Sequence, residues 1–380
     1  MGALRLLLAI SVVLFHAHGL FHYKLAGGVV PVETFFMISG FVMALVLSTK
    51  YDPVEDRALF YTNRALRIYV PYFTILAFAL AVGTFAVFHS DTGPFAVMKT
   101  IGPTWRAALA MIVTQITIVG QDLLLFFRLD HGALQWSGAT PALNVVVMQP
   151  LPPAWSISLE LVFYALAPWL VRWSSRALVC VVVASLCLRG LFWWAGLPAD
   201  PWSYRFFPAD ICFFVAGLLS YRLYAAIRWR APANQLIGIA LIAALFAFQP
   251  LADWLGGAGL EPDIARWGFY AFAVVGMPAL FAASKDNPFD RFLGDFSYAV
   301  YLVHWPVLVL IDSLAPHLDH DLRAGLALLA SLVLAYATAQ LIERPLDRWR
   351  QRRFAERGGS SDSASAPAGA EAGRPRHHAA

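Results

Sequence analysis

The sequence predicts an all-α, polytopic membrane helix bundle with about ten transmembrane helices and one re-entrant or interfacial segment. Three observations carry this reading. The 380 residues are 59% hydrophobic and only 14% charged, against about 45–50% and about 25% in an average globular domain. The mean hydropathy is +0.62, so the apolar excess runs along the chain rather than sitting in one anchor. The apolar residues also form continuous runs able to cross about 30 Å, whereas a transmembrane β-barrel shows short alternating segments. Together these exclude a cytosolic enzyme, a disulfide-rich secreted domain and a disordered scaffold. The formal charge of +4 arises after residue 343, so no nucleic-acid partner is expected. Cys180, Cys187 and Cys212 lie inside apolar runs and suggest neither a disulfide nor a metal site.

The spans are expected near residues 5–22, 33–49, 68–88, 155–172, 177–195, 209–225, 234–252, 267–283, 295–314 and 323–343. Residues 5–21 have the look of a signal peptide, but no small-residue cleavage site follows and polar groups interrupt the run, so a retained first helix is expected. An eleventh stretch, 105–127, contains Thr114, Gln115, Thr117, Gln121 and Asp122. If it does not cross, most Lys and Arg residues fall on the side of the two termini, among them Arg5, Arg64, Arg67 and Arg348. The positive-inside rule then puts both termini in the cytoplasm and makes 105–127 a re-entrant or interfacial piece on the outer side. Residues 1–345 form the transmembrane domain. Residues 346–380 form a basic juxtamembrane segment, facing the lipid headgroups of the bilayer, and a Gly-, Ser-, Ala- and Pro-rich disordered tail.

Ionisable groups inside spans are costly, so function falls to the few that are there. Arg5 and His16 are eleven positions apart, about 20° from a common face and about 16 Å apart along a helix. Arginine suits a phosphate or carboxylate, and histidine accepts a proton near neutral pH. Glu33 opens the second span and needs a partner, with His16 or His22 as candidates. Ser39-Gly40 allows a close approach of another helix or a ligand to the backbone. Arg64 and Arg67 share one helical face and could clamp adjacent phosphates. Ser156, Glu160 and Tyr164 recur every four residues as one polar stripe, and Ser297, Tyr298, Tyr301 and His304 form another. Such stripes suggest a polar cavity entered past arginines, with a histidine deep inside. No zinc motif, phosphate-binding glycine loop or serine nucleophile elbow is present.

These motifs, taken in order, resemble the acyltransferase-3 family of integral membrane acyltransferases over residues 4–345. The matching elements are Arg5-x10-His16, Phe35-Phe36-x-x-Ser39-Gly40-Phe41, Arg64-x-x-Arg67, Trp155-Ser156-x-x-x-Glu160-x-x-Phe163-Tyr164, Tyr301-Leu302-x-His304-Trp305-Pro306 and Glu343-x-Pro345. One departure is Glu33 where the family more often has Asp. A second is the lack of a hydrolase-like extracytoplasmic domain after the last span, which points to the short, exopolysaccharide-modifying type of a family that modifies bacterial surface sugars, such as exopolysaccharide or lipopolysaccharide O-antigen, at the bacterial inner membrane. The resemblance implies acyl transfer from acyl-CoA, usually acetyl-CoA, as a co-substrate rather than a tightly bound cofactor, to a hydroxyl of a surface polysaccharide or glycolipid. Joined to the reading of the polar residues, it suggests Arg5, Arg64, Arg67 and Ser39 for the donor. His16 becomes the general base or transient acyl carrier, supported by Glu33 and Arg5. Ser156, Glu160, Tyr164, Tyr301 and His304 go to the acceptor or oxyanion. A transporter or flippase of a lipid-linked or acidic sugar, with His16 and Glu33 as a proton relay, is the rival reading; it would ordinarily show inverted repeats, and none is evident.

Overall fold

A computed structural model describes residues 1–51, 56–138, 145–261, 263–350 and 352; the expected disordered tail and Arg353 lie outside them. The helices are α1 (Gly2–His16), α2 (Val29–Thr49), α3 (Arg57–His89), α4 (Gly93–Ile101), α5 (Trp105–Thr117), α6 (Gln121–Leu124), α7 (Trp155–Leu170), α8 (Ser175–Trp194), α9 (Ala199–Trp202), α10 (Phe207–Ala226), α11 (Ala233–Gly257), α12 (Asp263–Ser284), α13 (Pro288–Asp295), α14 (Ser297–Leu314) and α15 (His320–Thr338). All ten expected spans coincide with helices: α1, α2, α3, α7, α8, α10, α11, α12, α14 and α15. Eight of these segments are long and apolar enough to cross a membrane. The exceptions, α1 and α7, have 15 and 16 residues, about 22–24 Å of helix.

The shortness of α1 corrects the expected span 5–22. The helix stops at His16 because His18, Gly19, Phe21 and His22 all take positive φ, turning the chain back on itself. Ser11, a polar group in mid-helix, holds that turn: its hydroxyl meets the carbonyls of Lys24 and Gly27 at 3.0 and 2.9 Å. A short helix is tolerated at membrane depth when protein surrounds it, and Leu4, Leu8, Ala9 and Val13 of α1 have no exposed surface.

The stretch 105–127 does not form one span. Its helix α5 ends where Ile118 takes φ 64°, after 13 residues or about 20 Å, which is too short to cross. One face of α5 exposes Leu109, Ile112 and Ile116, as an interfacial helix does. Next, α6 is pinned to α7 by Ser158, whose hydroxyl donates to Asp122 at 2.5 Å. Burial holds the Asp122 carboxyl above its ordinary range, and that hydroxyl pulls it the other way. An antiparallel hairpin, β1 (Phe127–Asp130) with β2 (Ala133–Trp136), follows.

The bundle has an inside and a lipid side. In α2, 67% of the apolar window is buried, against 17% in α8 and α11. A close inner contact joins α2 to α10 through two glycines. A Cβ on Gly40 would run into the carbonyl oxygen of Phe214, and one on Gly217 into that of Met37. Small residues let the two backbones meet, as in other membrane helix pairs. Gly40→Val is therefore expected to lower stability by about 1–3 kcal/mol, read as a lower Tm in detergent. An unchanged Tm would mean that the helices can separate here at no cost.

Candidate active site

Two cavities meet inside the bundle. The first holds about 100 Å³ of water-sized space and is lined by Arg5, Ser39, Arg64, Arg67, Glu160, Tyr164 and Glu343, among others. The second holds about 640 Å³ and is lined by His16, Glu33, Arg189, Tyr204, Arg205 and Trp305, among others. Val32 and Tyr301 belong to both walls. Helix α1 thus carries Arg5 to one chamber and His16 to the other, as the shared face of the two residues requires.

The first chamber gathers arginines from α1 and α3. Among the described residues, no carboxylate lies within 4 Å of Arg5, Arg64 or Arg67, so none of the three forms an ion pair. Arg64 is buried and sits over the rings of Phe60 and Tyr164, 5.8 Å from each centroid. Such stacking leaves the edge of the guanidinium for a ligand. Glu160 accepts hydrogen bonds from Ser39 and Tyr164. The stripe Ser156, Glu160 and Tyr164 therefore lines the arginine chamber, next to the expected donor residue Ser39, rather than the chamber of His16. The reason is the facing of α7, which turns that stripe toward α2 and α3. Glu343, from the closing motif, joins the same wall.

Tyr301 stands at the junction, its hydroxyl 2.8 Å from that of Ser156 and 3.1 Å from the Pro153 carbonyl. One turn on, His304 meets His16. The His304 Nδ1 faces the Tyr301 carbonyl at 2.7 Å, and its Nε2 faces the His16 Nδ1 at 3.2 Å. A carbonyl only accepts, so the His304 Nδ1 carries a proton and, in the neutral ring, its Nε2 accepts. The His16 Nδ1 is then the donor, to His304 and to the Val12 carbonyl at 3.0 Å. That leaves the His16 Nε2 with a free lone pair, in a half-buried ring that lines the second chamber. Trp305 packs against the same imidazole, with centroids 5.5 Å apart.

Glu33 does not pair with His16 or His22. One of its oxygens takes Arg189 at 2.7 Å, and the other accepts from Tyr270. Arg189 also binds Asp210 at 2.9 Å, so one buried arginine joins α2, α8 and α10. His22 instead stacks with His320, at 6.0 Å. Arg189 and Asp210 were missed because their spans read as plain apolar runs. Their charge inside spans was the signal that could have found them. Arg205, which pairs with Asp200 at 2.6 and 2.8 Å, lies between spans and gave no comparable signal.

The family model described as an acyltransferase domain covers residues 1–342. The chain belongs to the acyltransferase-3 family. Among its relatives, the O-acetyltransferase OatA of Staphylococcus aureus (strain NCTC 8325 / PS 47) is 24% identical over 336 residues, covering 82% of this chain and 51% of that protein. The peptidoglycan O-acetyltransferase OatA of Listeria monocytogenes serovar 1/2a is 22% identical over 374 residues, covering 90% of this chain and 54% of that protein. This acyltransferase-3 chain thus spans about half the length of the curated relatives it matches. No solved structure matches it.

Proposed function

We propose that this acyltransferase-3 protein moves an acyl group, acetyl first among candidates, from acyl-CoA to a hydroxyl of a surface glycan across a bacterial inner membrane. The observation that carries the reading is the pair of adjoining chambers, one with three arginines that form no ion pair among the described residues and the other with a base-ready imidazole. The charge bias of the loops supports a cytoplasmic side for the arginine chamber and both termini. Arg5, Arg64 and Arg67 hold the phosphates of the donor, and the thioester reaches past Tyr301. There the His16 Nε2 takes the proton of the sugar hydroxyl as its oxygen attacks the thioester carbonyl. The imidazolium is held by His304 and the Val12 carbonyl, and the hydroxyls of Tyr301 and Ser156 stand ready for the oxyanion. Collapse of the intermediate releases the CoA thiolate, which takes up the proton from His16. His304 acts here as a positioning residue, the part expected of Glu33.

Membranes holding the protein, incubated with radiolabelled acetyl-CoA and glycan, should show label on the sugar as an alkali-labile ester. Failure of any glycan to take up label would overturn the reading and favour a transporter. Arg64→Ala with Arg67→Ala is expected to raise the KM for acetyl-CoA about tenfold or more, since each lost hydrogen bond to a charged group costs about 1.5–3 kcal/mol. A KM equal to wild type would remove the phosphate clamp.

A further inference from the structure

The two chambers handle their arginines in opposite ways. In the first, Arg5, Arg64 and Arg67 have no ion-pair partner among the described residues, as an anion site requires. In the second, each arginine is already neutralised. Arg189 pairs with Glu33 at 2.7 Å, Arg205 with Asp200 at 2.6 and 2.8 Å, and Arg266 with Asp263 at 2.8 Å. All six groups line the chamber, so its described walls hold three cations and three anions, and Arg189 meets a fourth carboxylate, Asp210, outside that lining.

That balance bears on what can enter. A carboxylate or phosphate drawn out of water needs an unpaired cation, or it loses more hydration than it regains. A neutral sugar needs none. Its hydroxyls can use the remaining N–H groups and lone pairs of the ion pairs, and its C–H faces can lie on aromatic rings. The chamber supplies such rings. Trp155 is covered by Arg205 at 4.5 Å and Trp267 by Arg189 at 5.6 Å. Trp193 and Trp305 carry no such cation among the described residues, and Trp305 stands beside His16. A sugar ring on Trp305 would bring a hydroxyl next to the imidazole.

We propose that the second chamber is an acceptor site for uncharged sugar units, and that Asp200, by neutralising Arg205, is a specificity determinant that keeps acidic sugars out. The inference rests on the acyl-transfer reading and adds the acceptor's chemical class. Asp200 lies in α9 and Arg205 in the connection from α9 to α10, outside the buried network of Arg189, so their pairing can be altered without disturbing the packing of α2 on α10.

The test uses the full chain in lipid nanodiscs and matched hexasaccharides of glucan, mannan and galactan, each neutral or oxidised to the carboxylate at C6. Binding is read by tryptophan fluorescence and transfer by label from acetyl-CoA. At least one neutral form should bind and accept about tenfold better than its carboxylate twin, and Asp200→Asn should erase about tenfold of that ratio by freeing Arg205. Asp263→Asn, on a more exposed pair, should move the ratio the same way and serves if the first variant does not fold. Equal or better binding of the carboxylate forms, an unmoved ratio in both variants, or no binding by any neutral form would overturn the inference. Neutral preference in binding with no label transferred would uphold the chamber's selectivity and sink acyl transfer instead.

Discussion

His16→Ala is expected to lower acyl transfer by about 10²–10⁴-fold, the usual contribution of a positioned general base, while the protein still inserts and folds. The loss falls on kcat, because the side chain lies in the second chamber and the donor arginines in the first. His304→Ala separates a positioning role from a packing role. Without the His304 Nε2 as acceptor, the His16 Nδ1 proton keeps only the Val12 carbonyl, and the tautomer that leaves Nε2 free is no longer enforced. Transfer should fall, with kcat reduced and the KM for acetyl-CoA retained. The measurement is initial-rate kinetics on the two variants at equal protein level. Near wild-type ester formation by His16→Ala would end its assignment as the base.

Arg189→Met is expected to destabilise the bundle by about 3–5 kcal/mol, the cost of leaving buried charge without its partner. Removal of the guanidinium leaves Glu33 and Asp210, neither with exposed surface, facing each other across α2 and α10 with, among the described residues, only the Tyr270 hydroxyl on Glu33. One Asp210 oxygen lacks a hydrogen-bond partner even with Arg189 in place, so the network has nothing in reserve. Adding Glu33→Gln and Asp210→Asn should recover most of the loss, since the carboxylates then no longer need a cation. Thermal unfolding in detergent reads both effects. A single variant as stable as wild type would show that these charges do not tie the helices together.

Much of the fold was legible because membrane insertion is a local matter. Each run of about 20 apolar residues satisfies its own backbone hydrogen bonds as a helix, so ten helices follow from ten runs. Helix ends were less legible. The expected span 5–22 ran past His16 because hydropathy does not register the positive φ values that turn the chain at His18 and His22. The segment 105–127 was set apart from the spans by the positive-inside count, and its helix α5, with 13 residues, is too short to cross.

The site divides along the same line. Periodicity within one helix placed Arg5 and His16 on one lining, Arg64 beside Arg67, and Ser156, Glu160 and Tyr164 on one stripe, because residues on a rigid helix keep fixed angular relations. Partners across helices were a different matter. Glu33 bonds to Arg189, 156 positions away, and His16 to His304, 288 positions away. Hydropathy and helical spacing carry no record of how helices cross. That Glu33 serves a buried arginine, that His304 takes its place beside the imidazole, and that arginines stand without an ion pair among the described residues in one chamber and paired in the next were settled only when the close contact at Gly40 and Gly217 and the packing of α1 on α14 fixed which faces meet.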